Sequence, residues 1–154
     1  MTDTSVSIQS ILSPELALCS LPGSSKKKVL EEIAQRIAQQ YPDINENTIF
    51  NSLIGRERLG STGIGQGIAI PHCRLENCQK VIGALLTLEQ KVPFDAIDNE
   101  PVDLLFVLVV PQEATSEHLE LLSQLAEKFN NPELCHQLRC CKDSDSLYKT
   151  IIQY

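Results

Sequence analysis

Val102 to Val110 is a nearly continuous apolar run, and it limits the folds open to the chain more than any other segment. A strand with one wet face alternates polar and apolar residues, so an unbroken run implies a strand covered on both faces. Its longest uninterrupted stretch, Leu104 to Val110, has seven residues, against the roughly 20 that a membrane-spanning helix needs. Membrane insertion is therefore not expected. Val81 to Leu88 is a second aliphatic strand candidate, and Pro93, Pro101 and Pro111 punctuate the pair.

Helical spacing surrounds these strands. Val29, Leu30, Ile33, Ala34, Ile37 and Ala38 repeat as one helix face, with Ser24 or Ser25 as the cap and Pro42 as the limit. Asn45 caps a second helix carrying Ile49, Phe50, Leu53 and Ile54, with Gly60 as its stop. A third opens at Thr115 or Ser116, places Leu119, Leu122, Leu125, Ala126 and Phe129 on one face, and ends before Pro132. Two short helices over 133–141 and 144–152 close the chain. Leu16 to Leu21 reads as an edge strand or an irregular segment. At 154 residues, with no repeats and no linker, the expectation is one α/β domain with helices over a small sheet.

Charge narrows the function classes. Thirteen Lys plus Arg against 20 Asp plus Glu give a net charge of −7, the wrong sign for wrapping a nucleic-acid backbone. The first residues lack a basic segment followed by an apolar one, so no secretory signal is visible and a cytoplasmic protein is expected. Six cysteines lack the C-x-x-C pairs of a zinc site, and most read as reduced small hydrophobes. No metal and no cofactor are expected.

Gly60, Gly63, Gly65 and Gly67 form a loop that runs into the apolar triplet Ile68 to Ile70. A dinucleotide fingerprint would need glycines at relative positions 1, 3 and 6 after a strand, and Ile68 occupies the sixth position counted from Gly63. Pro71 follows, and then His72, so an imidazole sits at a strand end beside a glycine-rich shelf. With an unperturbed pKa of about 6.5, neutral histidine keeps one ring nitrogen free as a nucleophile. A phosphoryl group there would need positive charge and hydrogen-bond donors nearby. Arg56, Arg58, the hydroxyls of Ser61 and Thr62, and the glycine-loop N–H groups starting at Gly63 are the candidates. Each also has a plain reading, the arginines as a solvated helix end favoured by the macrodipole. His118, in the first turn of the third long helix, is either a second site imidazole or a surface histidine, while His136 reads as structural or surface.

The stretch Arg56-Glu57-Arg58-Leu59-Gly60-Ser61-Thr62-Gly63-Ile64-Gly65-Gln66-Gly67-Ile68-Ala69-Ile70-Pro71-His72 closely resembles the active-site signature of the mannitol/fructose-type enzyme IIA proteins of the bacterial phosphoenolpyruvate-dependent phosphotransferase system. Residues 94–106, Val110-Pro111 and His118-Leu119 resemble their following blocks, and the likeness covers about 16–152 of a domain spanning 1–154. Within the family the nitrogen-regulatory branch is the nearest likeness. The resemblance implies a mixed five-stranded sheet flanked by helices on both faces, phosphorylation of His72 by an HPr-like phosphohistidine carrier, Arg56 on the phosphoryl oxygens, and His118 as a second imidazole. Regulatory targets such as potassium-transport or nitrogen-response components would be the downstream partners. Two other roles stay open: a sugar-specific enzyme IIA that hands its phosphoryl group to an enzyme IIB, and an interaction module without phosphotransfer. Docking is expected on apolar residues around His72, with Ile64, Ile68 and Leu75 as candidates. Cys73 stands where relatives often carry glycine, so a redox-sensitive thiol and a packing role are both open.

Overall fold

The computed structural model describes residues 8–153 except 77, 114 and 115, and leaves the side chains of 116–118 outside that description. Among the described residues a short helix α1 (Ile8–Ile11) runs into strand β1 (Leu12–Leu21), and helices α2 (Lys26–Gln40) and α3 (Glu46–Leu59) follow. Three short strands come next, β2 (Gly63–Gly65), β3 (Ile68–Ala69) and β4 (His72–Leu75), then the long strands β5 (Ile82–Val92) and β6 (Val102–Pro111). Helices α4 (Ser116–Phe129), α5 (Pro132–Cys140) and α6 (Ser144–Gln153) complete the order.

Strand β6 is antiparallel to β5 on one side and parallel to β3 and β4 on the other. That interior place explains the apolar run: Leu104 to Val110 are all buried, so helices must cover both faces. The sheet is mixed, in the order β1-β5-β6-β3-β2 with β4 also on β6. Six strands stand where five were expected, because one row is broken. Ile68 lies opposite Leu104 and His72 opposite Leu108, so the offset of 36 residues continues through the gap at Ile70-Pro71. Proline has no N–H to give the ladder, yet the Pro71 carbonyl still accepts from Leu108 N at 2.9 Å. β1 forms one edge of the sheet and shifts register between Leu12 and Ala17, around Pro14, as an edge permits.

Local signals set the helix starts. The Ser25 hydroxyl accepts from Lys28 N, and the Asn45 side chain accepts from Asn47 N and Thr48 N. Asn131 does the same for α5, with Pro132 in its first turn. Helix α4 departs from the expected face. Leu121, Leu125 and Phe129 are buried, with Phe129 against Phe106 at 6.2 Å between ring centroids, while Leu119 is 61% exposed. At about 100° per residue Leu119 lies about 120° from a stripe centred on Leu125, so packing leaves it outside.

The glycine segment is not a loop but a hairpin. β2 pairs antiparallel with β3 across Gln66 and Gly67, whose φ values of 59° and 79° are those of a tight two-residue turn. A Cβ on Gly67 would also fall 2.8 Å from Arg139 Nη2. Arg139 on α5 holds this turn, donating to Asp103 Oδ1 at 3.0 Å and to the Gln66 carbonyl at 2.8 Å.

Candidate active site

Strand β4 begins at His72, one residue past the point where Pro71 interrupts the row, and α3 ends above it. Between them opens a cleft of about 330 Å³. Ser52, Arg56 and Leu59 of α3 line one side, and His72, Cys73 and Arg74 of β4 line the other. Leu108 and Val110 of β6 and Leu122 of α4 supply apolar wall.

His72 is half-buried, and its Nδ1 lies 2.7 Å from the Ile70 carbonyl oxygen. A carbonyl only accepts, so Nδ1 carries the proton and donates it. In the neutral ring that tautomer puts the lone pair on Nε2, the form needed for a nucleophile. Arg56 Nη1 donates to the Gly60 carbonyl at 2.9 Å, which ties the guanidinium to the end of its own helix while it lines the cleft. Arg74 lies two residues beyond His72 and on the same strand face, so the cleft carries two guanidinium groups. That alternation along a strand was the signal in the sequence for Arg74, which was not among the expected site residues.

Ser61, Thr62 and Gly63 do not line this cleft. The Ser61 hydroxyl donates to the Phe94 carbonyl and accepts from Gly63 N at 3.0 Å. Thr62 is buried and its hydroxyl donates to the Glu57 carboxylate. A Cβ on Gly63 would sit 2.7 Å from that of Ala96, so glycine admits the 93–101 loop against the hairpin. Asp98 ties the same loop down, accepting from Gln66 N at 2.9 Å and Glu100 N at 3.0 Å, and these bonds hold its carboxyl below the usual range. Glu57, missed in the sequence because it looks like one more surface charge at a helix end, is only 7% exposed and anchors Thr62.

The backbone of His118 lies in α4, four residues before Leu122, and its side chain falls outside the described residues, as does Thr115, one of the two expected helix-opening residues. Arg58 is exposed and is not part of the cleft lining. His136 is exposed, with Nε2 3.6 Å from Cys140 Sγ.

Two expectations are corrected by burial. Ile68 and Leu75 are 2% and 3% exposed and belong to the core, so of the proposed docking residues Ile64 is the one at the surface. Leu59, at 84% exposed, is the large apolar side chain on the cleft rim. Cys73 is buried beneath the cleft, and desolvation pushes its thiol up to about 12, with Cys78 adding to the shift. Burial thus favours the neutral thiol, the form suited to packing rather than to nucleophilic attack. Cys78 and Cys135 are buried as expected, whereas Cys140 is exposed.

Comparison with known proteins bears on this geometry. The family model described as phosphoenolpyruvate-dependent sugar phosphotransferase system, EIIA 2, matches residues 10–154. The chain belongs to this enzyme IIA family. It is 49% identical over 147 residues to a nitrogen regulatory protein of Pseudomonas aeruginosa, covering 96% of each chain. Its fold matches the crystal structure of nitrogen regulatory protein IIA-Ntr from Neisseria meningitidis with a TM-score of 0.87 at 36% identity, over 94% of this chain and 98% of that one. IIA mannitol from Escherichia coli shares the fold, with a TM-score of 0.72 over 88% of this chain and 95% of that one, at 14% identity. Among the described residues of this enzyme IIA no helix is long and apolar enough to cross a membrane.

Proposed function

We propose that the protein is a histidine phosphocarrier of the nitrogen-regulatory type, accepting a phosphoryl group on Nε2 of His72 from the phosphohistidine of an HPr-like protein. The observation that carries this reading is the hydrogen bond from His72 Nδ1 to the Ile70 carbonyl, made inside a cleft that also holds Arg56 and Arg74. It places the proton on Nδ1 and so, in the neutral ring, the lone pair on Nε2. In the reaction the Nε2 lone pair attacks phosphorus while the P–N bond to the donor imidazole breaks and its electron pair returns to the donor ring. No proton need move, since Nδ1–H stays on Ile70, and no metal or cofactor enters the step. Arg56 and Arg74 balance charge on the transferring group, and alignment supplies much of the remaining rate. His118 is assigned as the second imidazole, and Ser61, Thr62 and Gly63 shape the shelf without touching the phosphoryl group.

Leu59 on the rim and Leu119 on α4 present apolar surface to the donor, and the net charge of −7 favours a partner with a basic rim. The 49% identity to a nitrogen regulatory protein, against 14% to the mannitol protein, supports a regulatory role whose targets change with phosphorylation. Incubation with phosphoenolpyruvate, enzyme I and an HPr-type carrier should add one acid-labile phosphoryl group by intact mass, absent from His72→Ala. No mass gain with a competent cognate carrier would leave the interaction-module reading.

A further inference from the structure

The tautomer of His72 depends on where the Ile70 carbonyl points, and the backbone of Ile70 is held from a distance. Ile70 N donates to the Thr62 carbonyl at 3.0 Å, so Thr62 holds the backbone of Ile70, the residue whose carbonyl meets the imidazole. Thr62 in turn is held twice by Glu57: its hydroxyl donates to Oε2 and its N–H to Oε1 at 3.3 Å. The Glu57 side chain is 2% exposed, and its charge is met by Lys26 Nζ at 3.0 Å. Lys26 is itself steadied over the Phe94 ring at 4.9 Å and lies 3.7 Å from Asp95. A buried carboxylate bonded in this way tolerates little displacement, since breaking one partnership strands the rest in a medium of low dielectric.

Glu57 is not among the residues that line the cleft, so it does not act by touching a group held there. Arg56, its neighbour in sequence, lines the cleft while Glu57 faces inward, so one helix end both presents the cation and anchors the shelf. We propose that Glu57 is a positioning residue for His72, acting through Thr62 and Ile70 to hold the proton on Nδ1 and leave Nε2 as the nucleophile. The rate consequence rests on the phosphocarrier reading; the tautomer consequence does not.

The test uses the full-length, ¹⁵N-histidine-labelled protein. Its ring tautomer is read by long-range proton–nitrogen correlation at about pH 8, where an unperturbed imidazole is neutral. The wild type should show Nδ1–H at His72, and an Nε2–H ring there would overturn the proposal at once. Thr62→Val, which deletes one hydroxyl at nearly constant volume, and Glu57→Gln should both raise the Nε2–H population. Each should also slow phosphoryl acceptance on the order of 10- to 100-fold, the scale of misalignment effects. Thr62→Ser should restore both readouts. Folded variants with the wild-type tautomer and rate would overturn the assignment, as would loss of the native fold in both, which would give the network to stability alone. Tautomer shifts in the variants, with a wild type that cannot be phosphorylated, would uphold the positioning role and overturn the carrier function. An unmoved tautomer in a readily phosphorylated protein would do the reverse.

Discussion

Behind His72, Glu57, Thr62 and Ile70 are buried and joined by hydrogen bonds that run to the imidazole itself, whereas in front of it the cleft ends in Arg74 and in Leu59 at 84% exposed. The inner side fixes one ring nitrogen; the outer side is free to meet another protein. A carrier needs both, because its nucleophile must be preorganised while its surface must accept a donor and then release it. Substitutions on the two sides should therefore separate stability from transfer.

The largest stability loss is expected at Leu53, fully buried on α3 beside the cleft residue Ser52. Leu53→Ala should cost about 2 to 5 kcal/mol in denaturant unfolding, the usual range for a core cavity. Arg56→Met should have the largest effect on the outer side, slowing phosphoryl transfer on the order of 100- to 1,000-fold in a rapid-quench assay. Its midpoint of unfolding should move far less, since the lost contact is one exposed bond to Gly60. Equal losses of stability and transfer would erase the distinction between the two sides.

Gly63→Ala tests the tight approach of the hairpin to Ala96, and about 1 to 3 kcal/mol of overpacking strain is expected by thermal or denaturant melting. Leu59→Ser should slow transfer about tenfold or less, through weaker docking, while leaving the melting curve in place. A slowdown that saturating donor removes would sharpen the assignment of Leu59 to encounter.

Cys73 gives the smallest effect, and its sign follows from burial. Its folded pKa is raised from 9.0 to about 12, so above pH 9 the unfolded chain releases a proton that the folded chain keeps. Unfolding is then favoured as pH rises, and the stability contributed by this neutral thiol is present below pH 9 and declines toward pH 12. Cys73→Ala should flatten that alkaline decline in melts taken at successive pH values. At neutral pH the native thiol should resist alkylation until the protein unfolds.

Much of the framework was readable in the residues, and the failures are specific. Ser25 and Asn45 were identifiable as caps because a cap bonds to N–H groups two or three residues away. Leu119 reads as part of the buried face of α4 because spacing alone admits several neighbouring stripes, and contact with Phe106 selects the one centred between Leu121 and Phe129. The glycine hairpin reads as a loop in the sequence because its two strands have three and two residues, too few to show alternation. Ser61 and Thr62 looked like phosphoryl ligands by residue type, yet Phe94 and Glu57 engage their hydroxyls.

The order of residues by itself determined the apolar run of β6, the helix starts, and the placing of an imidazole after Pro71 beside an arginine-bearing helix end, since these follow from short-range sterics and hydrogen bonds. Only the tertiary structure decided which nitrogen of His72 meets the Ile70 carbonyl, that Glu57 is an internal anchor, and that Cys73 is packed with its pKa raised by burial. Those outcomes depend on burial and on partners brought together from distant segments, as Lys26 is brought to Glu57 across 31 residues. Desolvation and hydrogen-bond geometry act on that assembled neighbourhood, which no local window of the chain contains.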